Sequence, residues 1–94
     1  MDGGGTVRAF AKIVNKRGLH ARASAKFVET AARFPCEITV TKDGISISGR
    51  SIMGLMMLGA GDGSTIELAA KGAEAEAAIK ALLALIRGRF HEDD

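Results

Sequence analysis

The chain has one cysteine, one proline, no tryptophan and no tyrosine in 94 residues. A lone Cys36 cannot close an internal disulfide, which suits a reducing compartment. With four Phe as the only aromatics, the core has to be built mainly from Ile, Val, Leu, Met and Ala. No apolar run approaches the roughly 20 residues that cross a bilayer. Met1-Asp2-Gly3-Gly4-Gly5 lacks the basic and apolar regions of a secretory leader. A cytoplasmic location, with no membrane partner, is expected by elimination. His20, Cys36 and His91 lack the spacing of metal ligands. There is no Walker loop and no GxGxxG, and Gly59-Ala60-Gly61-Asp62-Gly63 precedes a strand rather than a helix, so it is not a phosphate cradle. Asp62 and Glu67 form no recognisable carboxylate pair. No metal and no cofactor is expected.

What remains is an ordinary globular composition, 47% hydrophobic and 26% charged, of a size that makes one domain spanning 1–94. Residues 1–5 and 89–94 read as flexible ends. The net charge of +2 conceals an asymmetry: seven Lys/Arg face two acidic residues in 1–35, giving +5, and six face nine in 36–94, giving −3.

Residues 7–14 alternate, with Val7, Ala9, Ala11 and Ile13 on one side and Arg8, Phe10 and Lys12 on the other, which predicts a strand with one buried face. Asn15 to Gly18 breaks it. From His20 to about Arg33 the period becomes helical, with Phe27, Val28, Ala31 and Ala32 on one stripe, and Pro35 closes the segment. Ile38 and Val40, then Ile45 and Ile47, alternate around Lys42-Asp43-Gly44, a hairpin signal. Ser51 caps a short apolar helix, Ile52 to Leu58, ended by Gly59, and a mobile loop follows. Ile66 and Leu68 mark a fourth strand. Gly72 opens a last helix with Glu74 and Glu76 in its first turn and Ile79, Leu82, Leu83 and Ile86 buried; Arg87 and Arg89 suit its end. The order β-α-β-β-α-β-α predicts an α+β open-faced two-layer sandwich, a four-stranded antiparallel sheet with three helices on one face.

The most informative stretch is Asn15-Lys16-Arg17-Gly18-Leu19-His20-Ala21-Arg22, which sets a histidine where a strand gives way to a helix. A helix start leaves several N–H groups without intrahelical partners and carries the positive end of the macrodipole, a ready site for an anion. The dipole favours the uncharged, nucleophilic ring and would then stabilise a phosphoryl group placed on it. Arg22 can add charge-assisted hydrogen bonds, and Lys16, Arg17 and Lys26 a screened attraction. Gly18 supplies the backbone freedom that exposes the ring. A lone surface histidine is most often inert; its position raises this one above that background. Ser51 is explained in full as a helix cap, yet a phosphate there would also sit at a helix start. A seven-residue helix cannot bury apolar residues on every side, so Ile52, Met53, Met56 and Met57 are candidates for an adaptable docking surface, while Leu55 and Leu58 belong to the core.

Two motifs, Asn15-x-x-Gly18-Leu19-His20-Ala21-Arg22 and Ser51-Ile52-Met53-Gly54-Leu55-Met56, resemble the histidine-containing phosphocarrier (HPr) family of the bacterial phosphoenolpyruvate-dependent phosphotransferase system, over about residues 7 to 88. The resemblance implies strand order 1-4-2-3. It implies a carrier rather than an enzyme, with His20 taking phosphate on Nδ1 from the first enzyme, phosphoenolpyruvate-protein phosphotransferase, and passing it to IIA-type proteins. It implies that Arg22 assists, that the backbone at Ala21 and Arg22 contacts the phosphate, and that Ser51 is the regulatory serine, in some bacteria the target of a kinase/phosphorylase. The residues after Ser51 correspond to the family's docking surface. Where the family has proline after the arginine, this chain has Ala23, which softens the helix start by a few tenths to about 1 kcal/mol and leaves an N–H free for a phosphate oxygen. Met56 and Met57 are more apolar than is usual there. His-Ala-Arg-Ala-Ser resembles versions in the nitrogen-related, regulatory branch. A monomer suffices for this function.

Two other readings stand beside it. A small basic α+β domain could be a non-covalent regulatory or nucleic-acid-binding module, but no strand offers an aromatic stacking pair and a pI near 9.0 is only mildly basic, so no nucleic-acid partner is expected. A form that kept only regulation through Ser51 would not need both His20 and Arg22.

Overall fold

A computed structural model describes residues 5–92. Seven regular elements follow in order: β1 (Thr6–Lys12), α1 (Ala21–Ala31), β2 (Glu37–Lys42), β3 (Ile45–Ser48), α2 (Ile52–Met57), β4 (Thr65–Lys71) and α3 (Ala75–Arg87), with a short 3-10 turn at Arg89–His91. The strands form one antiparallel sheet in the order β1-β4-β2-β3, so β4 enters between β1 and β2. The layered architecture expected from the element order, and the strand order that the resemblance implies, are the ones observed.

One face of the sheet is apolar. Ala11, Ile38, Val40, Ile66, Leu68 and Ala70 are buried beneath the helices with Phe27, Leu55, Ala78, Ile79, Leu82 and Ile86. The strand period of two explains the division: the intervening Thr6, Arg8, Glu37, Thr39, Thr41, Ser46, Ala69 and Lys71 line the other, open face. At the hairpin, Asp43 and Gly44 both have positive φ, 50° and 80°, the conformation of a two-residue turn whose twist matches the strands it joins.

Several boundaries differ from the expectation. The first helix stops at Ala31, and Ala32 and Arg33 are exposed in the turn beyond it, so Ala32 lies outside the buried stripe. The last helix begins at Ala75, not at Gly72. Glu74 is its N-cap with φ 62°, preceded by Gly72 at φ 117°, and these two left-handed residues make the turn, leaving Glu76 as the acidic residue of the first turn. Ile47 lies beneath α2, close enough that a Cβ on Gly54 would sit 3.2 Å from its own, whereas Ile45, beside the hairpin turn, is exposed. Within residues 89–92, expected to fray, Phe90 is fully buried and its carbonyl accepts from Lys26 Nζ, while Arg89 and His91 are exposed. The reading of 1–4, 93 and 94 as flexible falls outside the described residues.

The loop 59–63 is tied down as well. Leu19 N–H donates to Ala60 O at 2.9 Å, Gly63 N–H to Ile13 O at 2.8 Å, and Ile13 N–H to Ser64 O at 2.8 Å. It clamps the segment between β1 and α1 to the start of β4, and that segment carries the histidine.

Candidate functional site

Asn15 ends the strand region and begins the turn. It is fully buried, its Nδ2 donates to Gly18 O at 2.9 Å, and its carbonyl accepts from Gly18 N–H at 3.1 Å. Gly18 has φ 63°, and a Cβ there would collide with Ala60 O and the Gly61 Cα. Only glycine serves both the dihedral and the close backbone approach. Leu19, buried, anchors the next step through Ala60.

His20 follows as the N-cap of α1, with φ −77° and ψ −178°, and its carbonyl accepts the first intrahelical bond from Ser24 N–H at 2.9 Å. Its side chain makes no capping hydrogen bond, so it competes for none of the helix's free donors. Helix geometry leaves the N–H groups of Ala21, Arg22 and Ala23 without intrahelical partners, with the positive end of the macrodipole behind them. Ser24, buried in the first turn, closes its own hydroxyl on Leu19 O at 3.1 Å. No acidic side chain lies in that first turn to compete with an incoming anion.

The ring is partly exposed, at 24% for the side chain. Nδ1 lies 3.1 Å from Gly18 O, and Nε2 lies 3.1 Å from Glu92 Oε2. The second contact is at ion-pair distance but off the direction of a hydrogen bond, so Nε2 and Oε2, like Asn15 Oδ1, stay without a hydrogen-bond partner. The other carboxylate oxygen of Glu92 accepts from Asn15 Nδ2 at 3.1 Å. Arg22, two residues on in the first turn of α1, is exposed and makes no ion pair or hydrogen bond among the described residues. Lys26 is engaged by the Phe90 carbonyl rather than directed at the ring.

Ser51 caps α2, its Oγ accepting from Gly54 N–H at 2.9 Å. Neighbouring Arg50 fixes the loop by donating to Phe34 O and Cys36 O at 2.6 and 3.0 Å. Along α2, Leu55 is buried and Leu58 nearly so, whereas Ile52, Met53, Met56 and Met57 are exposed, Met53 and Met57 by 71 and 79%. Helix α1, which His20 caps, packs against α2.

Sequence reasoning missed two members of this site, Asn15 as its buried scaffold and Glu92 as its carboxylate. In the sequence Asn15 is a motif position with no evident role, and Glu92 falls in a segment that reads as a tail. The available signal for the latter was Phe90: one of only four aromatics is badly placed in a solvated end. No group of three or more His, Cys, Asp or Glu able to hold a metal occurs among the described residues.

The architecture and the site define a small open-faced sandwich that offers a histidine over free helix donors, beside a second helix with an apolar exposed face. Comparison with known proteins agrees. Residues 7–88 match the family model described as the PTS HPr component phosphorylation site. The chain is 52% identical over 83 residues to the phosphocarrier protein HPr of Neisseria meningitidis serogroup A, covering 88% of this chain and 93% of that one. It is 45% identical over 80 residues to the phosphocarrier protein NPr of Shewanella violacea, covering 85 and 88%. Among solved structures, HPr-C-His from Thermoanaerobacter tengcongensis superposes with a TM-score of 0.89 at 44% identity, covering 94% of this chain and 99% of the other. The chain belongs to the HPr family, whose members are phosphocarriers of the phosphotransferase system. No helix among the described residues is long and apolar enough to cross a membrane.

Proposed function

We propose that this chain, acting as a single cytoplasmic domain, carries a phosphoryl group on His20 between the first enzyme of the phosphotransferase system and IIA-type acceptors. The observation that supports it most is the His20 ring at the mouth of α1, making no cap of its own beside three N–H groups without intrahelical partners.

The chemistry asks little of the protein. The Nδ1 lone pair attacks phosphorus, a phosphorus–nitrogen bond forms, and the bond to the donor breaks with its electron pair leaving on the donor. The negative oxygens then lie against the N–H groups of Ala21, Arg22 and Ala23, and Arg22, unoccupied among the described residues, swings in as a charge-assisted donor. Release runs in reverse once the ring takes up a proton and becomes a good leaving group. Positioning and charge compensation are the contributions that matter. The N–H of Ala23, present where the family has proline, adds one donor.

Docking uses the exposed face of α2. Ile52, Met53, Met56 and Met57 supply apolar, adaptable contact area on the helix that packs against α1. A phosphate added to Ser51 by a serine kinase would keep its oxygens at the helix start, so it would alter the charge of that face without unfolding it. The test is incubation with phosphoenolpyruvate and the first enzyme, following acid-labile, alkali-stable phosphate. His20→Ala is expected to abolish labelling while the fold persists; labelling that survives would put the nucleophile elsewhere.

A further inference from the structure

Among the described residues two large apolar side chains of the sheet are exposed, Phe10 at 70% and Ile45 at 57%. Phe10 has the parity of Arg8 and lies on the open face. Ile45 has the parity of Ile47, so it belongs to the face that the helices cover, yet it is left in solvent. Its cross-strand neighbour is Lys42. That side chain is only 18% exposed, and its Nζ lies 2.8 Å from Asp43 Oδ2. The lysine stem is therefore covered and its charge compensated, which leaves the surface beside Ile45 apolar rather than cationic.

Helix α2 supplies the other border. Only residues 49–51 join β3 to α2, and Gly54 is already back over Ile47, so the helix runs antiparallel to the strand. Ile45 lies two strand residues from Ile47, about 6.7 Å, and Leu58 lies four helix residues from Gly54, about 6 Å. The two runs keep pace. Met57 and Leu58, three and four residues after Gly54, share its side of the helix and approach the level of Ile45. Leu58 is buried and Met57 is exposed, so Ile45 continues the apolar face of Ile52, Met53, Met56 and Met57 beyond the helix.

The sheet fixes where this extension lies. β1 and β2 both pair antiparallel with β4, so they run in the same direction. Lys12 is level with Thr65 and Thr41 with Glu67, so both strands leave the sheet within two residues of one level. The histidine turn follows β1 and the hairpin follows β2. A partner that closes over His20 therefore approaches the end of the molecule that carries Ile45. We infer that Ile45 extends the docking face from α2 onto the β2–β3 hairpin and is a specificity-determining contact for the first enzyme. That enzyme is the donor which the carrier reading requires whichever acceptor follows. The contact it offers at this point is apolar, because the surface around Ile45 presents it with no uncompensated charge.

This inference rests on the carrier reading, and its test separates the two. Ile45→Thr keeps the β-branched shape that suits a strand and removes apolar surface. Ile45→Val keeps both, and Phe10→Thr makes a similar loss on the open face. All three positions are exposed, so the variants are expected to keep their fold, read by thermal melting. Phosphate on His20 is followed against chain concentration, with phosphoenolpyruvate and a catalytic amount of the first enzyme. Burying the exposed half of an isoleucine is worth roughly a factor of five in affinity, so Ile45→Thr is expected to raise KM about fivefold with kcat retained. The factor is expected to be the same at low and high salt, because no charge is lost. Ile45→Val should stay within about twofold of the parent, and Phe10→Thr should leave KM where it is. Calorimetric titration of each chain with the enzyme, without phosphoenolpyruvate, reads the same contact in the absence of transfer. A KM for Ile45→Thr equal to the parent's, or a rise shared by Phe10→Thr, overturns the inference and leaves the carrier reading standing. A parent chain that binds the enzyme but takes no phosphate, with Ile45→Thr binding more weakly, keeps the contact and removes the carrier reading. A parent chain that does neither removes both.

Discussion

Gly18→Ala is the sharpest test of how the site is built, because the same chain contains its own control. Gly18 and Gly59 have nearly the same left-handed φ, 63° and 67°, but a Cβ on Gly59 meets nothing within 4 Å, whereas one on Gly18 strikes the Ala60 carbonyl oxygen and the Gly61 Cα. The dihedral cost is shared: roughly 1–2 kcal/mol for a non-glycine residue in the left-handed region, offset by about 0.4–1 kcal/mol from the stiffer unfolded chain. Gly59→Ala should therefore lose about 1 kcal/mol or less. Gly18→Ala adds a backbone collision that no rotamer change relieves. Relief requires Ala60 to withdraw, which sacrifices its 2.9 Å bond from Leu19 N–H, worth about 1 kcal/mol. It also forces apart a buried contact at Leu19 and Ala60, for about 1–3 kcal/mol more.

The expected loss for Gly18→Ala is about 3–5 kcal/mol in urea unfolding, against about 1 for Gly59→Ala, with melting lowered by on the order of 20 °C for a chain of this size. The displacement also moves Gly18 O, the acceptor for both His20 Nδ1 and Asn15 Nδ2, so phosphorylation of His20 should slow even at temperatures where the variant stays folded. Equal losses for the two glycine variants would refute the reasoning. The clamp between the histidine turn and the loop 59–63 would then carry no energy.

Ser51→Ala removes the acceptor for Gly54 N–H and should cost about 1 kcal/mol of stability, read by thermal melting. Ser51→Asp should retain most of that stability while slowing phosphotransfer to His20, and an unchanged rate would remove Ser51 from regulation. Met57→Lys alters a side chain 79% exposed, so its unfolding free energy should stay within about 0.5 kcal/mol while transfer to an acceptor slows. Asn15→Ala removes the Nδ2 donor shared by Gly18 O and Glu92 Oε1 in a buried site and should lose about 1–3 kcal/mol in urea unfolding.

The sheet could be read from the chain because its burial is governed by a local rule. Ile38, Val40, Ile66 and Leu68 alternate with polar residues, and a side chain's face in a strand is fixed by its parity. Asp43-Gly44 names its turn because few dipeptides tolerate positive φ twice. The helix start at His20 was legible for the same reason, a change of period at a glycine. What was not legible depends on long-range closure. Glu92 lies 77 positions from Asn15 in the chain, and no pattern near either residue announces the contact. Gly59 to Gly63 reads as a mobile loop by composition, and only the hydrogen bonds from Leu19 and to Ile13 tie it down. The exposure of Ile45 follows from how far α2 reaches across β3, which alternation cannot specify.

These long-range ties explain why a histidine at a helix start can be both presented and restrained. α1 fixes the direction of the donors, since three N–H groups point along its axis whatever the side chains do. It does not fix the ring, because an N-cap side chain that makes no cap is free to turn about its own bonds. The ring's position is set from outside the helix, by Gly18 O on one nitrogen and Glu92 on the other. Gly18 O is held by Asn15 and the Ala60 clamp, and Glu92 by the burial of Phe90. Rigidity therefore belongs to the donors and mobility to the acceptor. The proposed transfer needs that division, because a phosphoryl group on His20 would arrive and depart with one side chain while the amides of the helix start stay still.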